Sequence, residues 1–173
     1  WGLKYDIKLA SHIYEICESN EEIKKILDLT CEDLFQATIC DETTGLLIKI
    51  LCLFDIDLAY QNEKGHTLLI QALIKNAQIF AIHIIKKKPI IVNILTKNNN
   101  NALTVACKRK CYDVISILLE MDDIQIYIIN SSGKNALYYA LDNSVVYVCT
   151  KLIELGGFCV DHASIPDNFK CID

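Results

Sequence analysis

Asn130-Ser131-Ser132-Gly133-Lys134-Asn135-Ala136-Leu137-Tyr138-Tyr139-Ala140 decides the fold, because it recurs upstream at a fixed spacing. A shift of 34 residues brings it onto the stretch ending Asn101-Ala102-Leu103-Thr104-Val105-Ala106, which repeats the Asn-Ala-Leu-x-x-Ala core. A second shift of 34 reaches Asn62-Glu63-Lys64-Gly65-His66-Thr67-Leu68-Leu69-Ile70-Gln71-Ala72. A constant period of this size marks a stacked-repeat architecture.

The copies share one physical logic. Gly65, Asn99 and Gly133 occupy a common position, and Gly and Asn are the residues that tolerate a positive φ in a turn. Thr67, Asn101 and Asn135 follow two residues later, where a side-chain oxygen can cap the first N–H groups of a helix. Leu69, Leu103 and Leu137 precede Ala72, Ala106 and Ala140 by three, so each pair shares a helical face. A second apolar run follows in each copy: Phe80-Ala81-x-His83-Ile84-Ile85, Val114-Ile115-x-Ile117-Leu118-Leu119 and Val148-Cys149-x-Lys151-Leu152-Ile153. The unit is turn, short helix, turn, longer helix and extended return.

This arrangement resembles the ankyrin repeat, whose pattern opens Gly-x-Thr-Pro-Leu-His-x-Ala-Ala and closes Gly-Ala-Asp-Val-Asn. Gly65-His66-Thr67-Leu68-Leu69-Ile70-Gln71-Ala72 matches the opening and Asp57-Leu58-Ala59-Tyr60-Gln61-Asn62 the closing. Leu68, Ala102 and Ala136 stand where the family has Pro, and Ile70, Thr104 and Tyr138 where it has His. The resemblance implies an all-α repeat solenoid of helix-turn-helix units with short β-hairpin or extended fingers. The expected organisation is an N-terminal helical pair at 1–29 acting as a cap, repeats at 30–61, 62–95, 96–129 and 130–163, and a truncated repeat or tail at 164–173. The chain opens on Trp1 and stops near Ile165-Pro166-Asp167-Asn168, where another unit would begin, and reads as part of a longer protein. In the first repeat Leu34-Phe35-Gln36-Ala37 takes the Leu-x-x-Ala place, and Leu46, Leu47, Ile50, Leu51 and Leu53 form the second helix.

Composition narrows the function. The chain has 173 residues, 52% of them hydrophobic, with mean hydropathy +0.26 and net charge −5, enough for one sizeable core. No apolar run approaches the ~18 residues of a membrane span, and Lys4, Asp6 and Lys8 interrupt any leader-like start. An intracellular, most simply cytoplasmic, protein is expected, monomeric in isolation. Nine cysteines, an odd number without Cys-x-x-Cys, suggest neither a disulfide framework nor a zinc ribbon; Cys52, Cys107 and Cys149 fall at apolar positions. Cys159, His162 and Cys171 lack a fourth ligand and compact spacing, so no metal site is assigned. Nor is a catalytic or cofactor site: the chain has no Gly-rich phosphate loop, no His-Glu-x-x-His and no Gly-x-Ser-x-Gly. His66 belongs to a turn, and His83 shares a half-buried slot with Ile117 and Lys151.

The expected activity is protein or peptide binding. Between Lys75 and Lys110 stand eight bases and no acid, leaving nine bases against 22 acids elsewhere. Lys75, Lys108 and Arg109 close first helices, where the resemblance implies a concave surface, and suit an acidic partner. Lys86, Lys87 and Lys88 end a second helix, where they offset its dipole. The resemblance turns the variable residues Gln71, Val105 and Tyr139 toward the same groove, Tyr139 as an aromatic anchor. The finger tips Tyr60, Gln61, Glu63 and Lys64, and Ile128 and Ile129, complete the candidate contacts. Two alternatives stand beside this reading: a regulatory or substrate-recruiting part of a larger enzyme, and contact of residues 75–110 with anionic lipid or nucleic acid. Seven Lys to one Arg among those bases disfavours nucleic acid. The run Asn98–Asn101 reads as compositional bias.

Overall fold

A computed structural model describes residues 41–156, together with His12, Glu15 and Leu34. The N-terminal pair, the tail and the Cys159, His162 and Cys171 set lie outside the described residues, apart from His12 and Glu15. Seven α-helices are seen among the described residues: α1 Asp41–Leu53, α2 Leu68–Ile74, α3 Gln78–Lys87, α4 Ala102–Arg109, α5 Tyr112–Leu119, α6 Ala136–Asp142 and α7 Val146–Gly156. A 3-10 helix spans Pro89–Asn93.

Each short helix starts where a polar side chain replaces a missing backbone partner. Thr67 caps α2 by accepting from Ile70 N, Asn101 caps α4 by accepting from Thr104 N, and Asn135 caps α6 by accepting from Tyr138 N. The turn before each cap has one hydrogen-bond pattern. Asn62 N donates to His66 O and Gly65 N to Asn62 O; Thr96 and Asn130 repeat both bonds with Asn100 and Asn99, and with Lys134 and Gly133. The pattern needs a left-handed residue, and Gly65, Asn99 and Gly133 sit at φ 71°, 59° and 73°. The fingers are therefore tight turns; no strand occurs among the described residues.

The short helices end by a second recurring device. Asn76, Lys110 and Ser144 take φ 58°, 62° and 57°. The next residue in each case, Ala77, Cys111 or Val145, donates back to Ala72 O, Ala106 O or Ala140 O at 2.9–3.0 Å. This is the bond pattern of a Schellman closure, and it reverses the chain into the second helix within two residues.

Helices of 7 or 8 residues are too short to hold in isolation, so packing must hold them. α2, α4 and α6 stack as one layer, and α1, α3, α5 and α7 as another. Leu69, Leu103, Ala72 and Ala106 are fully buried between the layers, with Phe80, Ile84, Val114, Leu118 and Leu152 from the second helices. In the return after α1, Phe54, Ile56 and Leu58 are buried while Asp55 and Asp57 are exposed, the alternation of an extended segment. After α3 the return begins instead as the 3-10 turn, with Pro89 at its start, where a fixed φ and a missing N–H cost nothing. His83 and Ile117 are half-buried and Lys151 exposed, as their shared slot requires.

Candidate functional site

The finger before α2 and the outer face of α2 enclose a cleft of about 680 Å³ lined by Tyr60, Asn62, Glu63, Lys64, His66, Gln71, Ile74 and Lys75. Five of these are among the contacts expected from sequence: Tyr60, Glu63, Lys64, Gln71 and Lys75. The finger is held in place by Asn62, whose Oδ1 accepts from Lys64 N and His66 N at 3.0 Å each. Gln61, at the same tip, is committed to the frame: its Nε2 donates to Gly65 O at 2.6 Å and to Leu95 O, in the next return, at 2.8 Å.

Lys64, Lys75 and His66 make the cleft a source of hydrogen-bond donors, with Gln71 bonded to the imidazole and Glu63 the one carboxylate in the lining. Burial holds the His66 pKa below its ordinary 6.5, Lys64 lowers it further, and the hydrogen bond to Gln71 acts the other way. The imidazole is therefore neutral at pH 7, and an anion bound beside it would draw its pKa upward. The repeat pattern places His66 in a turn and gives it no site role. The signal was present in its position one residue before the helix cap.

The remaining expected contacts lie elsewhere. Val105 and Tyr139 are each only 8% exposed. The Tyr139 hydroxyl accepts from Asn130 Nδ2 at 3.1 Å, its ring meets Tyr138 edge to face at 5.5 Å, and Lys108 Nζ stands 5.6 Å from the ring centroid. The half-buried neighbour Tyr138 offers the more open ring, with Lys134 Nζ 4.3 Å above it. Arg109 is exposed at the end of α4. At the next finger Ile128 is half-buried and Ile129 is 54% exposed.

Lys87 and Lys88 are occupied within the stack. Lys87 Nζ donates to Leu51 O at the end of α1, and Lys88 Nζ lies 3.5 Å from Asp57 Oδ1. Cys107, Cys111 and Cys149 are buried free thiols. Burial raises all three, Cys111 to about 11. Cys52, expected at an apolar position, is instead exposed on the outer face of α1, its Sγ 3.9 Å from His83 Nε2. Among the described residues no group of three or more His, Cys, Asp or Glu could hold a metal ion, and no helix is long and apolar enough to cross a membrane.

The family model for ankyrin repeats (3 copies) matches residues 34–128 and 83–163. The chain belongs to the ankyrin-repeat family. A comparison with curated proteins finds no match. Ankyrin repeats are generally protein–protein interaction modules, and membership explains why the turns, caps and Leu-x-x-Ala pairs recur here while the cleft residues do not.

Proposed function

We propose that this ankyrin array is a non-catalytic module that takes a segment of a protein partner into the cleft between α2 and the finger that precedes it. The observation that carries this reading is the cleft itself. Tyr60, Lys64, Gln71 and Lys75 converge on about 680 Å³, on a unit whose packing is already satisfied by Leu68, Leu69, Ala72 and Leu73. An aromatic ring beside two ammonium groups and an amide suits an acidic or carboxamide-bearing segment with one apolar anchor. Buried free thiols suit a reducing, intracellular setting.

The test is capture from cell extract on the immobilised chain, beside a Tyr60→Ala/Lys64→Glu variant of matched far-UV circular dichroism. A partner identified by mass spectrometry is then titrated as purified protein. Affinity should fall at least about tenfold in the variant, the loss of one aromatic anchor and one favourable charge. Equal affinity for the two chains would remove the cleft from the interface.

A further inference from the structure

A second surface runs along the edge of the stack where the chain turns from each first helix into the second. The exposed residues there form two parallel rows. One row is apolar and begins the second helices: Ile79 is 68% exposed on α3, Tyr112 45% on α5, and Val146 and Tyr147 76% and 58% on α7. The other ends the first helices and is basic over two units, with Lys108, Arg109 and Lys110 at the end of α4 and, after α2, Lys75, which also lines the cleft, all exposed.

Neither row is used by the fold. Among the described residues no carboxylate lies within ion-pair distance of these four bases, and only Lys108 has a partner, the Tyr139 ring. The rim is nevertheless one continuous surface. Gln78 Oε1 accepts from Asp113 N at 3.1 Å, Cys111 Sγ donates to Asn76 Oδ1 at 3.4 Å, and Asn143 Nδ2 donates to Cys107 O at 2.8 Å. These bonds tie the rims of three successive units together at fixed spacing.

We infer that this rim is a docking surface for an acidic peptide segment carrying apolar side chains, meeting the cleft only at Lys75. The geometry sets the length of that segment. Packed helices stand ~8–10 Å apart, so the path from Ile79 past Tyr112 to Val146 covers two such steps. An extended chain rising ~3.3 Å per residue crosses that distance in about six residues. Carboxylates of the segment meet the basic row while its apolar side chains cover the other. A peptide is favoured over an anionic membrane because the apolar row is only one or two residues wide and Asp113 and Asp142 are exposed on the same edge. A flat anionic surface would be repelled by both acids, whereas a peptide can pass between them.

The test uses the whole chain and a short fluorescein-labelled peptide of glutamate with leucine at every third position, followed by fluorescence anisotropy. Polyglutamate of equal length and phosphatidylserine vesicles serve as comparison probes. Variants are compared only where their urea midpoints match the wild type. Saturable binding is expected, weakened about tenfold or more by Ile79→Ser with Tyr112→Ser, given the apolar area these two side chains lose. Lys108→Gln with Arg109→Gln and Lys110→Gln should weaken it as much, while Tyr60→Ala/Lys64→Glu leaves it unchanged. The inference is overturned by no saturable binding, by polyglutamate or vesicles binding as tightly as the leucine-bearing peptide, or by indifference to the Ile79 and Tyr112 changes. Loss in the Tyr60 and Lys64 variant alone would refute the rim and leave the cleft reading standing.

Discussion

Alanine at Gly65 should destabilise this protein far more than alanine at Gly133, although the two glycines hold the same place in their fingers, two units apart, and nearly the same φ, 71° and 73°. At Gly133 a Cβ would meet nothing within 4 Å. Its cost is that of holding an L-residue in the left-handed region, ~1–2 kcal/mol, less the ~0.4–1 kcal/mol that alanine removes from the freedom of the unfolded chain. The net is roughly 1 kcal/mol. At Gly65 the same Cβ would stand 2.7 Å from Lys97 N and 3.3 Å from the Thr96 carbonyl carbon. Those atoms are backbone of the next finger, so relief requires the finger to move. Moving it strains the Lys97 N to Lys64 O bond and the two bonds made by Gln61, and a forced shift of this kind costs ~1–3 kcal/mol. Gly65→Ala should therefore lose about 2–4 kcal/mol in total. Urea unfolding followed by far-UV circular dichroism measures both. If Gly133→Ala cost as much as Gly65→Ala, the close approach of successive fingers would not be what selects glycine at position 65.

Lys110→Gly should raise the urea midpoint, gaining roughly 0.5–1 kcal/mol, because Lys110 holds φ 62° without needing its side chain for the turn. Asn101→Ala should be the costlier of the cap mutations, about 2–4 kcal/mol in the same melts: fully buried, Asn101 accepts from Thr104 N and Oγ1 and donates to Gln125 O at 2.6 Å. Thr67→Ala, which loses a single cap bond, should cost about 1 kcal/mol. The pKa values of His66 and His83 both lie below the ordinary 6.5, through burial first and then through Lys64 in one case and Lys87 and Lys86 in the other. Just below pH 6.5 the unfolded chain therefore binds more protons than the native one, and stability falls as pH drops through that window. Replacing both histidines with Gln should flatten that part of the stability–pH curve, and an unchanged slope would assign it to other groups.

The fold was legible wherever backbone demand and residue type coincide. Gly65, Asn99 and Gly133 announce the first turn because Gly and Asn are the residues that reach it easily, and Thr67, Asn101 and Asn135 announce the caps. The second turn needs the same backbone at Asn76, Lys110 and Ser144, yet it left no readable mark. One of the three is Lys, which tolerates the left-handed region only because the Schellman bonds around it hold the chain there. The candidate site divides in a similar way. Tyr60, Glu63, Lys64, Gln71 and Lys75 come together because finger and helix are joined by a turn of fixed shape, which the repeat pattern encodes. The burial of Tyr139 could not be read, since it depends on Asn130 from its own finger and Lys108 from the preceding unit. The second contact crosses between units, and the first depends on an asparagine side chain that the repeat pattern does not aim at the ring.

The asparagines show how such a stack leaves its surface open to a partner. Asn98–Asn101, read from sequence as compositional bias, sits where units meet: Asn99 Nδ2 donates to Ile129 O at 2.6 Å, Asn130 Nδ2 to Asn100 Oδ1 at 2.9 Å, and Asn98 O accepts from Ser131 N at 3.0 Å. Asn93 does the same further on, donating to Asp123 O at 2.7 Å and accepting from Gln125 N at 3.0 Å. A primary amide supplies donor and acceptor without a charge to desolvate, so it can join backbones at a partly buried seam where lysine or aspartate would be costly. With the seams held by neutral amides and the core by leucine, isoleucine and alanine, Lys75 and Arg109 are not required for stability, whereas Lys108 stands over the Tyr139 ring and Lys110 holds the left-handed turn. The neutral variants Lys75→Gln and Arg109→Gln should therefore keep the wild-type melt, and this makes them clean probes of binding, Lys75→Gln at both surfaces and Arg109→Gln at the rim alone.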